Sequence, residues 1–449
     1  MRVAVVGGGI TGMSACDTLS RHGIACDLYE REVSLGGLAG SFEVNGAPLE
    51  RFYHHLFTSD TAMADLIASL GLGERLEWLP TSNAYFAGRT YRLSTPLDLM
   101  RFTRLSLFDR FRLGLLYLQT RYVRDWRPLE EITARDWLVR MAGEKVWHAV
   151  WEPLMRGKFG RYADEVAAVW IWNKLKLRGG SRGKGQEERL GYLRGGFGQA
   201  LEAWEDRLRQ QGVTIHTETE VTRIELADGV ATGIWLGDQL RAYDRVIVTT
   251  APSLLAAMAP DLPPDYRQQL EGIHYLGNVC LVLKLDRSLS DTYWLNVGDP
   301  SIPFTGVIEH TNMQRPEDYG GARLAYLSRY LDVADPAYGL SAEDLLASYL
   351  PHLKRMFPDF TRAWVQDCWA WREPYAQPVI GLGYSRLKPA LRTPVRNLWL
   401  SCMAQVYPED RGMNYAVVWG HKVAHALLRE AGLAADDEQE GSEDAQQGG

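Results

Sequence analysis

Gly7, Gly9 and Gly12 stand in the spacing G-x-G-x-x-G, and Glu30 follows some way behind them. Together these residues can hold a dinucleotide. The first glycine permits a tight turn, the second lets the backbone approach a pyrophosphate, and the third lets a helix pack closely on a strand. Ile10 and Thr11, where that helix begins, offer unpaired N–H groups and the positive end of the helix dipole to phosphates. A carboxylate at the position of Glu30 can accept from ribose hydroxyls. The alternative is a glycine-rich turn in some other parallel fold. The ordered succession of strand, helix, second strand and terminal acid argues against it.

Other side chains could carry a reaction. His54 and His55 are adjacent; an imidazole titrates near neutral pH and can act as a general base. Strand alternation would turn one of the pair inward and the other out, and a core imidazole is an equally good reading. Glu309-His310-Thr311-Asn312 ends an apolar stretch and could orient a substrate, or simply cap a strand end. Cys402 invites a redox-thiol or covalent-cofactor reading, although a small buried apolar residue is the better one. No histidines and carboxylates show metal-ligand spacing, so no metal is expected. Neither G-x-S-x-G nor a phosphate-binding P-loop is present.

The elements that must position these residues follow from hydrophobic periodicity. Residues 3–6 and 25–29 read as buried parallel strands joined by a helix over 10–21. Residues 42–44 and 48–52 flank Asn45-Gly46, a strong hairpin signal. Residues 60–190 read as mostly helical and irregular. Within them, 97–126 is apolar and periodic, interleaved with Arg101, Arg104, Arg110, Arg112, Arg121 and Arg124. Such a helix can lie on an anionic membrane surface, but a solvated outer face is the preferred reading. Tryptophan-rich stretches at 147–159 and 169–177 read as buried helix or pocket wall, and 178–188 as a mobile basic loop. A helix to Gln210, strands at 213–217, 220–224 and 243–251, and an antiparallel sheet over 265–385 follow, with helices at 342–356 and 360–368. A strand at 397–402 and a helix at 413–429 close the chain.

Gly7-x-Gly9-x-x-Gly12, Glu30-Arg31, Gly36-Gly37-x-Ala39-Gly40-Ser41 and Glu50-x-Phe52-x-His54 resemble the N-terminal signature of the flavin amine oxidase superfamily. That group includes monoamine oxidases, protoporphyrinogen oxidases, carotenoid desaturases and, more distantly, UDP-galactopyranose mutases. Leu38 stands where many members carry Arg, and Phe52 where many carry Gly. Asn397-Leu398-x-Leu400-Ser401-Cys402-Met403, a loop, and Gly412-Met413-Asn414-Tyr415-Ala416 through Gly420 resemble the family's C-terminal signature. There Cys402 replaces the usual Gly, and Met403 the usual acid. The resemblance implies FAD rather than NAD, because the double glycine after the acid belongs to FAD domains. It implies cofactor contacts at Gly7, Gly9, Ile10, Thr11, Gly12, Glu30, Arg31, Gly37, Leu38, Ala39, Phe52, Tyr53, His54, Val221, Ala251, Cys402, Met403, Gly412 and Met413. The N-terminus of the last helix would face the flavin N1–C2=O locus, where a dipole end stabilises negative charge. His54 and His55 would leave a strand passing near the isoalloxazine, and Tyr375 would stand on an aromatic pocket wall. With Glu309 these are the catalytic candidates.

The fold class implied is α/β. A discontinuous Rossmann-like FAD-binding domain would be built from 1–75, 190–265 and 380–432, and an α+β substrate domain from 76–189 and 266–379. An acidic tail, 433–449, is expected to be disordered. Net charge is −7, and the six acids of that tail leave the body near −1; no nucleic-acid partner is expected. Five scattered cysteines suggest no disulfide framework and fit a reducing cytoplasm. The chain enters its first strand at residue 3, leaving no room for a signal peptide. Fifteen Trp and 21 Tyr suit an apolar ligand cavity. The family implies an oxidoreductase moving hydride from a C–N or C–C unit of an apolar or polycyclic small molecule to flavin N5. A non-redox sugar-nucleotide mutase is the alternative. It would need cations converging on a diphosphate, for which Arg178, Arg182, Arg194, Arg329 and Arg411 are available. The oligomeric state stays open.

Overall fold

The computed structural model describes residues 1–180 and 188–433. The expected acidic tail beyond 433 and most of the basic loop, Arg182 included, lie outside the described residues. Strand Arg2–Val6 pairs in parallel with Ala25–Tyr29 on one side and Arg245–Val248 on the other. Thr214–His216 and Leu398–Leu400 complete a five-stranded parallel sheet. Val3, Ala4, Val5 and Val6 are all buried, as a parallel strand covered on both faces requires. Strands Arg2–Val6, Ala25–Tyr29, Thr214–His216, Arg245–Val248 and Leu398–Leu400 therefore meet in one sheet despite their separation in the chain, while 223–242 form a separate three-stranded antiparallel sheet.

Helix Ile10–Arg21 makes the crossover between the first two strands and packs against the C-terminal helix Met413–Glu430. The approach is close enough for Ser14 Oγ to donate to Val417 O at 2.7 Å. Gly420 is the point of nearest contact, where a Cβ would overlap Ser14 and the Thr11 carbonyl oxygen.

The second layer is a seven-stranded sheet in the order Val365–Pro378, Tyr275–Leu285, Arg323–Leu331, Gly306–Glu309, Trp294–Val297, Asn83–Phe86, Thr90–Arg92. It is antiparallel, as expected over 265–385, except that Trp294–Val297 and Asn83–Phe86 run parallel. The parallel pair arises because Asn83–Phe86 enters from the region read as helical, by a long crossover. The helix expected over 360–368 is reduced to one 3-10 turn, Arg362–Trp364. Val365–Cys368 instead starts the long strand, paired with Tyr275–Leu285, and packing against a neighbouring strand outweighs local periodicity.

Asn45 and Gly46 turn the hairpin Ser41–Val44/Ala47–Glu50 with φ of 52° and 80°, the paired positive values of a type I′ turn. The chain then leaves extended structure. The buried carboxylate of Glu50 accepts from Tyr192 Oη at 2.7 Å and Phe197 N at 2.6 Å, fixing the exit of the segment that carries the histidines.

The helical layer includes Leu107–Thr120, Ala134–Ala142, Glu152–Phe159 and Ala168–Gly180. The periodic run 97–126 is broken into two helices, Pro96–Met100 and Leu107–Thr120. Ser106 caps the second by accepting from Asp109 N. Trp137, Trp147, Trp151, Trp170 and Trp172 are buried here. Gly420→Ala should lower stability by about 3 kcal/mol, at the upper end of overpacking costs, read as a lower denaturant midpoint at unchanged slope.

Candidate functional site

A cavity of about 710 Å³ opens at the carboxyl ends of the parallel strands. Gly7, with φ of 107°, makes the turn out of the first strand. Helix Ile10–Arg21 begins at Gly9 with no side-chain cap, so its N–H groups face the cavity unpaired by a cap. Gly36 N donates to Gly8 O at 2.9 Å, and a Cβ on Gly37 would sit 3.3 Å from Gly9 Cα. The two glycine runs thus approach each other across the cradle. Glu30 accepts from Gly8 N at 2.7 Å and Glu32 N at 2.9 Å, and it lines the cavity with Arg31, Val221 and Ala251.

Gly12 is not on the lining. Its role is the close packing assigned to the third glycine, since a Cβ there would overlap the Gly7 carbonyl oxygen. Ile10, Thr11, Gly37, Leu38, Ala39, Cys402, Met403 and Tyr375 do line the cavity. Burial pushes the Cys402 thiol up to about 12, so it is a protonated, unreactive thiol.

A second cavity of about 380 Å³ lies toward the helical layer. The two share Leu38, Phe52, His54, Arg411, Gly412 and Met413. At this junction helix Met413–Glu430 begins, again with no side-chain cap, and its positive dipole end opens onto both spaces.

Tyr53 lines the second cavity and not the first. His54 lines both cavities and His55 the second. Alternation does not separate the two rings, because the strand has ended at Glu50 and residues 53–55 carry no regular structure. His54 Nδ1 lies 2.7 Å from Phe52 O. A carbonyl only accepts, so Nδ1 carries the hydrogen and Nε2 the lone pair. Burial pushes His54 down to about 4 and His55 to about 3. Both are neutral at physiological pH, well below a base poised near 7. Glu309 lines neither cavity. Its carboxylate accepts from Leu289 N and Ser290 N at 3.0 Å each, and burial raises it to about 7.

The second cavity has aromatic walls, including Tyr53, Tyr85, Trp151, Trp170 and Trp294, and four cations, Lys158, Lys174, Arg178 and Arg411. Its acids are Asp60 and Asp410. Lys174 pairs with Asp410, which also accepts from Trp170 Nε1 at 3.2 Å. Burial would raise the Asp410 carboxyl, but Lys174, Lys158 and Arg411 together hold it well below the carboxylate range. Lys158 Nζ stands 4.6 Å from the centre of the Tyr330 ring, and Arg411 donates to Tyr330 Oη at 3.3 Å. Burial alone would push the Tyr330 phenol up. Lys158 and Arg411 outweigh it and bring it down to about 8.

Of the five arginines available for a diphosphate, Arg178 and Arg411 reach this cavity. Arg194 pairs with Glu77 and Arg329 with Asp335. Lys158, Lys174 and Tyr330 were not singled out in the sequence. The available signal was a lysine set among tryptophans in each of two stretches, Lys158 in 147–159 and Lys174, followed by Lys176, in 169–177.

The residues present fit FAD. Arg51 Nε, Thr250 Oγ1, Trp371 Nε1 and Arg411 Nε are buried on the first cavity's wall without a protein partner among the described residues. Such groups require a polar occupant. The glycine cradle suits the pyrophosphate, Glu30 the ribose, and the Gly412–Met413 helix start the flavin end.

A family model described as flavin containing amine oxidoreductase matches residues 10–428. The probable zeta-carotene desaturase of Synechococcus elongatus is 22% identical over 97% of this chain and 100% of its own length. A protoporphyrinogen oxidase-like protein from Exiguobacterium sp. 255-15 superposes with a TM-score of 0.77 at 18% identity, covering 96% of this chain and 99% of that one. Reduced UDP-galactopyranose mutase superposes with a TM-score of 0.75 at 16% identity, covering 97% and 96%. These two likenesses establish the shared fold.

Gly9 tests the cradle. Its backbone is extended (φ −69°, ψ 175°) and a Cβ there meets nothing within 4 Å. A Cβ at this position therefore meets no part of the polypeptide and projects into open space at the cradle. Gly9→Val should leave the thermal midpoint of the apoprotein within a degree or two, while flavin content, read from absorbance near 450 nm, falls by at least about tenfold.

Proposed function

The chain belongs to the flavin-containing amine oxidoreductase family, and on that premise we propose that it dehydrogenates a small molecule bearing an anionic group. The observation that carries this reading is the set of four cations facing two carboxylates in a cavity that joins the cofactor cradle. Asp60, itself raised to about 6 by burial, offsets part of the charge, and the walls keep a net positive balance. Leaving buried cations uncompensated is costly, so the occupant most compatible with this cavity carries carboxylate or phosphate on an aromatic or polycyclic body. A pure hydrocarbon would leave that charge unmatched.

FAD held in the first cavity supplies the hydride acceptor for a C–H bond of a C–N or C–C unit. The chain's own residues do the rest. Phe52, His54 and Met413 bound the junction at which the reacting carbon must stand. The His54 ring, held by its bond to the Phe52 carbonyl, presents Nε2 as an acceptor and orients rather than titrates. Tyr330 is the group suited to take the proton that accompanies hydride loss. Lys158 and Arg411 lower its phenol below the usual range and stabilise the phenolate that accepts the proton. Tyr375 and Trp371, on the first cavity's wall, exclude water from the cofactor side.

The same cations support a second reading, a sugar-nucleotide mutase whose diphosphate they would bind. Turnover that requires reduced flavin and consumes no acceptor would favour it.

The test is anaerobic flavin bleaching by matched anionic and neutral substrates drawn from amines, porphyrinogens, polyenes and sugar nucleotides. Anionic compounds should bleach the flavin, and Lys158→Met or Arg411→Met should weaken their binding roughly 10- to 100-fold, the cost of one charged hydrogen bond. An ultraviolet difference titration should show a phenol ionising near pH 8 that is absent from Tyr330→Phe. A bound anion should move it to higher pH, because added negative charge disfavours the phenolate. Equal bleaching by neutral polyenes, undiminished in both variants, would overturn the anionic assignment.

A further inference from the structure

The exposed apolar surface of this protein is concentrated in one place. Among the described residues, eight of the fourteen exposed large hydrophobic side chains fall between Leu97 and Tyr122. Leu107, Phe108, Phe111, Leu115 and Leu118 lie on helix Leu107–Thr120 and are 38–68% exposed. At about 100° per residue they fall within one sector about 100° wide. Asp109, Leu113, Leu116 and Thr120, the buried residues of the same helix, fall on the opposite side. The helix thus has an inner face that packs on the core and an outer face that is apolar and uncovered. A solvated outer face would carry polar residues there.

We propose that this outer face docks the protein on the surface of a lipid bilayer containing anionic lipids. The charge around it chooses this occupant. Residues 97–127 hold seven arginines against three aspartates, on a chain whose net charge is −7. Arg101 and Arg104 precede the helix and Arg121, Arg124 and Arg127 follow it, all five exposed. An apolar helix face with a basic border matches the acyl boundary beneath anionic headgroups. A second copy of this chain is a poorer fit, because a two-fold contact sets the same patch against itself and would face arginines with arginines. Among the described residues no helix is long and apolar enough to cross a membrane, and the geometry is that of a helix lying flat. The same helix contributes Tyr117 to the wall of the second cavity, so a bilayer seated on its outer face lies one helix away from the substrate space.

The experiment is co-sedimentation of the full-length flavoprotein with vesicles of phosphatidylcholine, with and without phosphatidylglycerol. The protein should partition onto the anionic vesicles and less onto the neutral ones, and high salt should weaken the anionic component. The double variant Phe108→Ser/Phe111→Ser should keep its thermal midpoint, since both rings are exposed, and lose roughly tenfold or more in partition. Arg101→Gln/Arg124→Gln should reduce the preference for anionic lipid. Failure to sediment with either vesicle, or partition unchanged in the phenylalanine variant, overturns the proposal. So does a solution dimer that the phenylalanine variant converts to monomer while vesicles remain unbound.

Discussion

Asp410 is the carboxylate on which the site's architecture turns. It is buried between Lys174, with which it pairs, and the indole N–H of Trp170. Both partners belong to the helix Ala168–Gly180 of the helical layer. Asp410 itself immediately precedes Arg411 and Gly412, where the C-terminal helix of the dinucleotide layer begins. One ion pair therefore ties the two layers together at the place where the cavities meet. Removing one partner of a buried pair leaves an uncompensated charge and typically costs about 3–5 kcal/mol. The same carboxylate also faces Lys158 and Arg411, so it moderates the positive field without cancelling it. The lowered Tyr330 phenol is the residue of that imbalance.

The two cavities divide the labour along this line. The first is made by backbone: glycine runs, two uncapped helix starts and the ends of parallel strands. Backbone N–H groups and small residues recognise phosphate and ribose whatever the reaction. The second is made by side chains on elements far apart in the chain, with aromatic rings for area and cations for charge. Such a division lets one fold serve different substrates by changing the second cavity alone. The chain shares its fold with a protoporphyrinogen oxidase-like protein and with reduced UDP-galactopyranose mutase at under 20% identity.

What the sequence made legible follows the same division. The Gly7–Gly12 turn, Glu30, the Gly36-Gly37 approach, the Asn45-Gly46 hairpin and the Met413 helix start are local signals, each set by a backbone conformation or a short spacing. Lys158, Lys174 and Tyr330 are separated by up to about 170 residues (158 to 330) and meet through tertiary packing, which no periodicity records. The histidines show a subtler limit. Strand alternation predicts one ring inward, but Glu50 anchors the chain's exit from the hairpin, and both rings turn to the second cavity in irregular backbone. The helix anticipated over 360–368 yields to an eleven-residue neighbouring strand, Tyr275–Leu285, for a similar reason: pairing at long range outweighs local pattern.

The central claim is that cofactor and substrate spaces meet at Phe52, His54 and the Gly412–Met413 helix start. A crystal structure of the purified flavoprotein tests it most directly. The account predicts the adenine–ribose half beside Glu30 and Val221, and the isoalloxazine edge at the Met413 N–H, with one face open to the cavity that holds Lys158 and Tyr330. An isoalloxazine lying away from that junction, or walled off from the cationic cavity, would contradict it.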